Sequence, residues 1–259
     1  MKCSRGIFIA YGAAAIGFVV FCMAAGVRAE EKFVPDSVKV PIFVYHHVRP
    51  HVPTESPLQD EYDITPELFE EQLVYLRDHG YTAVTLDDLV SLIGKKTTAP
   101  VLKPVILTFD DGWENQYVYA FPLLKKYHTA ATFYVYTNPI GKAPYLTWGQ
   151  IKEMDAAGMT IASHTLLHPH MNRLSAAERK REIVESKQVL EEKLGKPVLH
   201  FALPFGYASP AIIAIVREAG YATCRTTDDG VYHTSNDLLK LRATVITDDF
   251  RDFVDALNR

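Results

Sequence analysis

Two aspartates stand side by side in VILTFDDGWEN, Val105 to Asn115, where five strand-forming residues run directly into Asp110 and Asp111. Like charges held so close raise each other's proton affinity, so the pair calls for a cation or for two divergent chemical tasks. Two histidines, His164 and His168, lie four residues apart in SHTLLHP and could present both imidazoles from one helical turn or tight loop. A third pair, His46 and His47, follows VPIFVY. Imidazole and carboxylate are the ligand types zinc takes, and a catalytic zinc site keeps one position open for water. If one aspartate joined His164 and His168 on a cation, its neighbour could act as base beside the ion, and the repulsion between the two would be offset. Each feature alone has a plainer use. A DD at a strand end can cap a helix, an H-x-x-x-H pair without the zincin glutamate is ambiguous, and YHH can simply pack.

What joins them is the pattern of elements. From Val38 onward an apolar run, a polar loop, an amphipathic helix and a glycine recur. VKVPIFVY, KPVILTF, TAATFYVY, MTIAS, VLHFAL, YATCRT and LLKLRATVI read as strands. TPELFEEQLVYLRDHGY starts with Thr65 as N-cap and Pro66 in the first turn; Thr147 with Gln150, and Ser175 with Glu178, have capping-box spacing. Strands alternating with helices mean a parallel sheet with crossover helices. About seven of them predict an α/β fold, a distorted (β/α) barrel. The alternative, an open doubly wound sheet, finds no glycine-rich phosphate loop here. His46, Asp110, Asp111, His164 and the PFG at Pro204 to Gly206 all follow strand carboxyl ends, which in such a barrel open onto one face.

The chain has 259 residues, 48% of them hydrophobic, with no repeat or low-complexity linker. Lys2 and Arg5 precede the apolar run GIFIAYGAAAIGFVVFCMAAG, and Val27 and Ala29 are small residues before Glu30. Residues 1–29 therefore read as a secretory signal peptide, with an uncleaved membrane anchor as the rival, and residues 30–259 as one exported catalytic domain, periplasmic or extracellular. Cleavage would remove Lys2, Arg5 and Arg28 and take the net charge from −4 to −7, which argues against binding nucleic acid through bulk charge. It would leave Cys224 as the sole cysteine, a packing residue with no disulfide partner.

These residues resemble the polysaccharide deacetylase family of carbohydrate esterases. TFDD at Thr108 to Asp111 is similar to its first motif, SHTLLHP at Ser163 to Pro169 to its second, and FALPFG at Phe201 to Gly206 to its third, usually R-x-P-Y-G. The resemblance implies that Asp110 is the general base and that Asp111, His164 and His168 hold a divalent metal, zinc first, with cobalt or nickel also accepted. It implies that the backbone N–H of Phe205, at the place of the motif tyrosine, helps to bind the oxyanion. The reaction implied is hydrolysis of an acetamide on an N-acetylated glycan, releasing acetate. Two features depart from the pattern. The third-motif arginine would fall at Ala202, and the late L-x-H motif that supplies the acid is missing. The opening VPIFVYHHV instead resembles a subgroup with permuted motif order, typified by poly-β-1,6-N-acetylglucosamine deacetylases, in which the strand-end histidine is the acid. That role falls to His46.

Arg242, on the last predicted strand, is expected to replace the arginine missing at Ala202, the alternative being an exposed or interface arginine. Trp113, Tyr145, Trp148 and Tyr207 follow strand ends as candidate sugar-binding residues, or as rim packing. His170 reads as a loop residue and an alternative to His168 as ligand. The expected partner is a polysaccharide. Rival readings are an O-acetyl polysaccharide esterase and a catalytically weak carbohydrate-binding protein.

Overall fold

The computed structural model describes residues 37–52, 62–96 and 101–259. The export signal expected over residues 1–29 lies outside them, and among the described residues no helix is long and apolar enough to cross a membrane. Seven parallel strands carry the domain: β1 (Ile42–Tyr45), β2 (Pro104–Phe109), β3 (Thr132–Val135), β4 (Thr160–Ser163), β5 (His200–Ala202), β6 (Thr223–Arg225) and β7 (Thr244–Val245), in the spatial order 6-5-4-3-2-1-7. Helices α1 (Pro66–Asp78), α2 (Leu86–Ile93), α3 (Phe121–Lys126), α4 (Trp148–Ala156), α5 (Ala176–Leu194), α6 (Pro210–Glu218) and α7 (Phe250–Leu257) fill the connections. The N-cap at Thr65 and the capping boxes at Thr147 and Ser175 form as the spacing predicts.

Alternation along the strands divides two hydrophobic layers. Phe43, Tyr45, Val105, Leu107, Phe109, Phe133 and Cys224 face outward into one core shared with the helices. There Phe109 stacks on Phe133 at 4.7 Å, and burial of each such ring is worth about 2–3 kcal/mol. Ile42, Val44, Ile106, Tyr134, Ala162 and Ala202 face inward and fill the barrel. Val84, just before α2, and Leu86 and Leu89 of α2 join that interior set and plug its amino-terminal end.

The barrel closes imperfectly between β6 and β7. The expected strand LLKLRATVI is in fact a 3-10 turn at Leu238–Lys240 followed by the two-residue β7. Leu241 bridges the gap, donating to the Cys224 carbonyl at 2.8 Å and accepting from Thr226 at 2.9 Å, and Thr244 then pairs with Phe43 of β1. The result is a distorted barrel.

Candidate active site and metal centre

His46, Asp110 and His164 each sit one residue beyond a strand and continue the inward-facing series of Val44, Thr108 and Ala162. Strand pairing draws their backbones together: the Asp110 N–H bonds the Tyr45 carbonyl and the His164 N–H the Val135 carbonyl, both at 2.9 Å. Buried Gln116 ties two of the ends directly, its amide donating to the carbonyls of His46 at 2.7 Å and Asp110 at 2.5 Å.

Asp111, His164 and His168 form the one potential metal cluster among the described residues, with their ligand atoms within 4.8 Å of one another. Asp111 Oδ1 lies 3.2 Å from His168 Nε2 and 3.6 Å from His164 Nε2. Three features fit a cation here. The His164 Nδ1–H donates to the Ala202 carbonyl at 2.9 Å, which turns the Nε2 lone pair toward Asp111. Burial pushes the His164 imidazole down to about 4, against the partial opposition of Asp110 and Asp111, so it is neutral as a ligand must be. Asp111 Oδ1 is buried without a hydrogen-bond partner.

The loop that carries His168 is strained. Thr165 and His168 have φ of 74° and 56°, the left-handed region that β-branched residues avoid. Thr165 Oγ1 accepts from the His168 N–H at 3.0 Å, and buried Glu182 on α5 accepts from Leu166 and Leu167 at 2.9 and 2.8 Å. On the other ligand, Asp111 (φ 75°) and Gly112 (φ 73°) turn tightly, and a Cβ on Gly112 would come within 2.9 Å of Val135.

Asp110 is paired with Arg225, which is fully buried and donates from its NH2 group to Asp110 Oδ2. Burial alone would push this carboxyl up. Arg225, His164 and His46 more than offset it and hold Asp110 below the usual carboxylate range. The expectation for Arg242 is therefore corrected. Leu241 and Ala243 face the barrel interior, so Arg242 between them faces out; it is exposed and lies along Gly230. Arg225 pairs in register with Ala202, so the guanidinium missing from β5 stands one strand over, on β6.

The candidate sugar-binding residues divide. Phe205, 55% exposed, takes a φ of 59° and sets its ring 4.9 Å from that of His168. His170 stacks on Phe205 at 3.9 Å and lies outside the ligand cluster, and Tyr207 is half exposed beside them. Trp148, the first residue of α4, is half-buried and packs against the outer core. Trp113 is packed on Tyr145 at 4.4 Å and on His47 at 4.5 Å rather than standing free for a sugar. The sequence reading missed Arg225, Gln116 and Glu182. Only Arg225 had a visible signal: with Cys224 packing outward, its neighbour had to face in.

Residues 97–224 match the family model described as polysaccharide deacetylase. The chain is similar to YxkH of Bacillus subtilis, 30% identical over 192 residues that span 74% of this chain and 66% of that one. It is similar to the poly-β-1,6-N-acetyl-D-glucosamine N-deacetylase of Staphylococcus aureus, 24% identical over 208 residues spanning 74% and 71% of the two chains. Among solved structures it resembles the Streptococcus pyogenes deacetylase PplD in complex with acetate, with a TM-score of 0.79, 30% identity and coverage of 85% of this chain and 98% of that one.

Proposed function

The chain belongs to the polysaccharide deacetylase family, and we propose that it removes N-acetyl groups from an N-acetylglucosamine-containing polysaccharide such as poly-β-1,6-N-acetylglucosamine. The observation that carries this reading is the junction of two sets of groups. An ionised aspartate held by a buried arginine adjoins a carboxylate and two imidazoles whose lone pairs converge. The Staphylococcus aureus relative bears that substrate in its name, and PplD was captured with acetate, the product such a hydrolysis releases.

Each residue then has a task. Arg225 occupies Asp110 Oδ2, while Oδ1 is buried without a hydrogen-bond partner and free to take the proton of the attacking water. A divalent cation held by Asp111, His164 and His168, zinc by its donor set with cobalt or nickel also accepted, would supply Lewis acidity to the amide carbonyl and to water. The Phe205 N–H, at the left-handed turn beside His168, is assigned to the developing oxyanion. His46, close enough to Asp110 to favour its ionisation, gives a proton to the departing amine. Water and amide are thereby converted to acetate and a free amine. The arginine missing at Ala202 favoured a weak binding protein, but Arg225 supplies that guanidinium from β6. The N-terminal apolar run supports export to where such glycans lie.

The test is acetate release from poly-β-1,6-N-acetylglucosamine oligomers by chelator-stripped protein reloaded with zinc or cobalt. Metal-dependent acetate that is abolished in Asp110→Asn and sharply cut in His46→Ala is the expected result. Acetate from O-acetylated glycans alone would make it an esterase. No acetate from any acetylated glycan, with metal bound, would leave a binding protein.

A further inference from the structure

Trp113 carries contacts that a sugar platform does not explain. Its indole Nε1–H donates to Asp111 Oδ2 at 3.1 Å, the oxygen turned away from the two histidines, while Oδ1 faces them. Its ring is held in place. It stacks on Tyr145 at 21° and packs on His47 at 34°, and the Trp113 and Tyr145 backbones form a β-bridge. His47 is itself fixed by Asn115, whose amide nitrogen donates to His47 Nδ1 at 2.7 Å while its oxygen accepts from Val48 at 3.3 Å. On the far side Tyr145 meets Tyr136 at 5.4 Å, and Tyr136 meets His168 at 5.3 Å. A continuous set of ring contacts thus runs from His47 through Trp113, Tyr145 and Tyr136 to His168.

We propose that Trp113 is a positioning residue of the cation site, fixing the Asp111 carboxylate so that Oδ1 alone is offered to the ion. A carboxylate on a tight turn could otherwise rotate to present either oxygen or both. A hydrogen bond to one oxygen selects the other, and the packed ring gives that bond its direction. Partners of this kind, one step behind a ligand, typically alter metal affinity by 10–100-fold. The chain accordingly uses its DDGW stretch for three successive tasks: Asp110 as base, Asp111 as ligand, and Trp113 as the group that orients the ligand. The inference rests on the cation reading above.

The test compares the full chain with Trp113→Phe, which keeps the ring packing and loses the N–H. A second variant carries 3-benzothienylalanine at position 113 in a Trp148→Phe background; it keeps the indole shape without the donor and so covers a Phe variant that fails to fold. Zinc affinity is read by chelator competition, the cobalt site by its visible absorption, and KM and kcat with metal saturating. Both variants are expected to bind zinc about tenfold or more weakly, with a shifted cobalt band, while KM moves by less than about twofold. Unchanged zinc affinity with a raised KM would overturn the proposal and make Trp113 a sugar contact. A parent chain that binds no zinc at all would bring down the cation reading, and this inference with it.

Discussion

At the closed end of the barrel His200 engages both ring nitrogens with protein: Nδ1 meets Thr223 Oγ1 at 2.9 Å and Nε2 meets Asp87 at 3.4 Å. At the open end the same two residue types are arranged to leave bonding capacity over. Oδ1 of Asp110, Oδ1 of Asp111 and Nδ1 of His46 are buried without partners, and the Nε2 atoms of His164 and His168 converge on one carboxylate oxygen. A buried polar atom left unsatisfied costs about 1–3 kcal/mol. The lower set is therefore a fastening between the start of α2 and the strands. The upper set is a liability to the fold that, on the proposed function, a cation and a water would relieve. Histidine beside aspartate is no indicator of chemistry by itself: at His200 the protein completes the bonding, and at the mouth it does not.

Removing one partner of the buried pair should break the contrast most severely. Arg225→Met leaves Asp110 as an uncompensated buried charge and should cost about 3–5 kcal/mol in denaturant unfolding. Because Arg225 holds the Asp110 carboxyl down, the acid limb of acetate release should also move to higher pH.

Acid acts at both ends of the barrel. His233 donates from Nε2 to the Val40 carbonyl at 3.0 Å, and burial pushes its imidazole from the ordinary 6.5 down to about 4. As pH falls through 6.5 the unfolded chain takes up the proton first, so stability drops from pH 6.5 to about 4, by roughly 3 kcal/mol from this residue. His164 shares that window in metal-free protein. His233→Gln should therefore flatten part of the slope of denaturation midpoint against pH, with His164 contributing to what remains.

Two smaller effects sharpen the comparison. Glu182→Ala frees the Leu166 and Leu167 N–H groups and should cost about 1–3 kcal/mol, and the loosened loop should weaken zinc binding more than it changes oligomer KM. Asp87→Asn acts at the closed end, on a largely exposed carboxylate, and should cost less than about 1 kcal/mol with acetate release unaltered.

What was legible in the sequence follows the same physics. Strand periodicity fixes which face each residue takes, and the groups that end up at the mouth stand two residues past an inward one, as with Thr108 and Asp110 or Ala162 and His164. Letter-matching to a motif failed where the required charge moved strands. Arg225 does at β6 what an arginine at Ala202 would do on β5, and alternation from Cys224 was the available clue. Arg242 misled because it lies within an apolar run, yet Leu241 and Ala243 claim the inward positions. Gln116 and Glu182 act through backbone carbonyl and N–H groups far away in sequence, and no local pattern announces such partners.

The central claim is that the open end is left unsatisfied in order to hold a cation. Zinc titration of chelator-stripped protein, beside Asp111→Asn, tests it most directly, with the thermal unfolding of both metal-free proteins measured in parallel. The account predicts one zinc per chain for the parent and a loss of affinity of at least about 100-fold in the variant. Its metal-free form should melt no lower than the parent, because the substitution removes an uncompensated carboxylate. Unchanged zinc affinity in Asp111→Asn, or a variant clearly destabilised in the absence of metal, would contradict it.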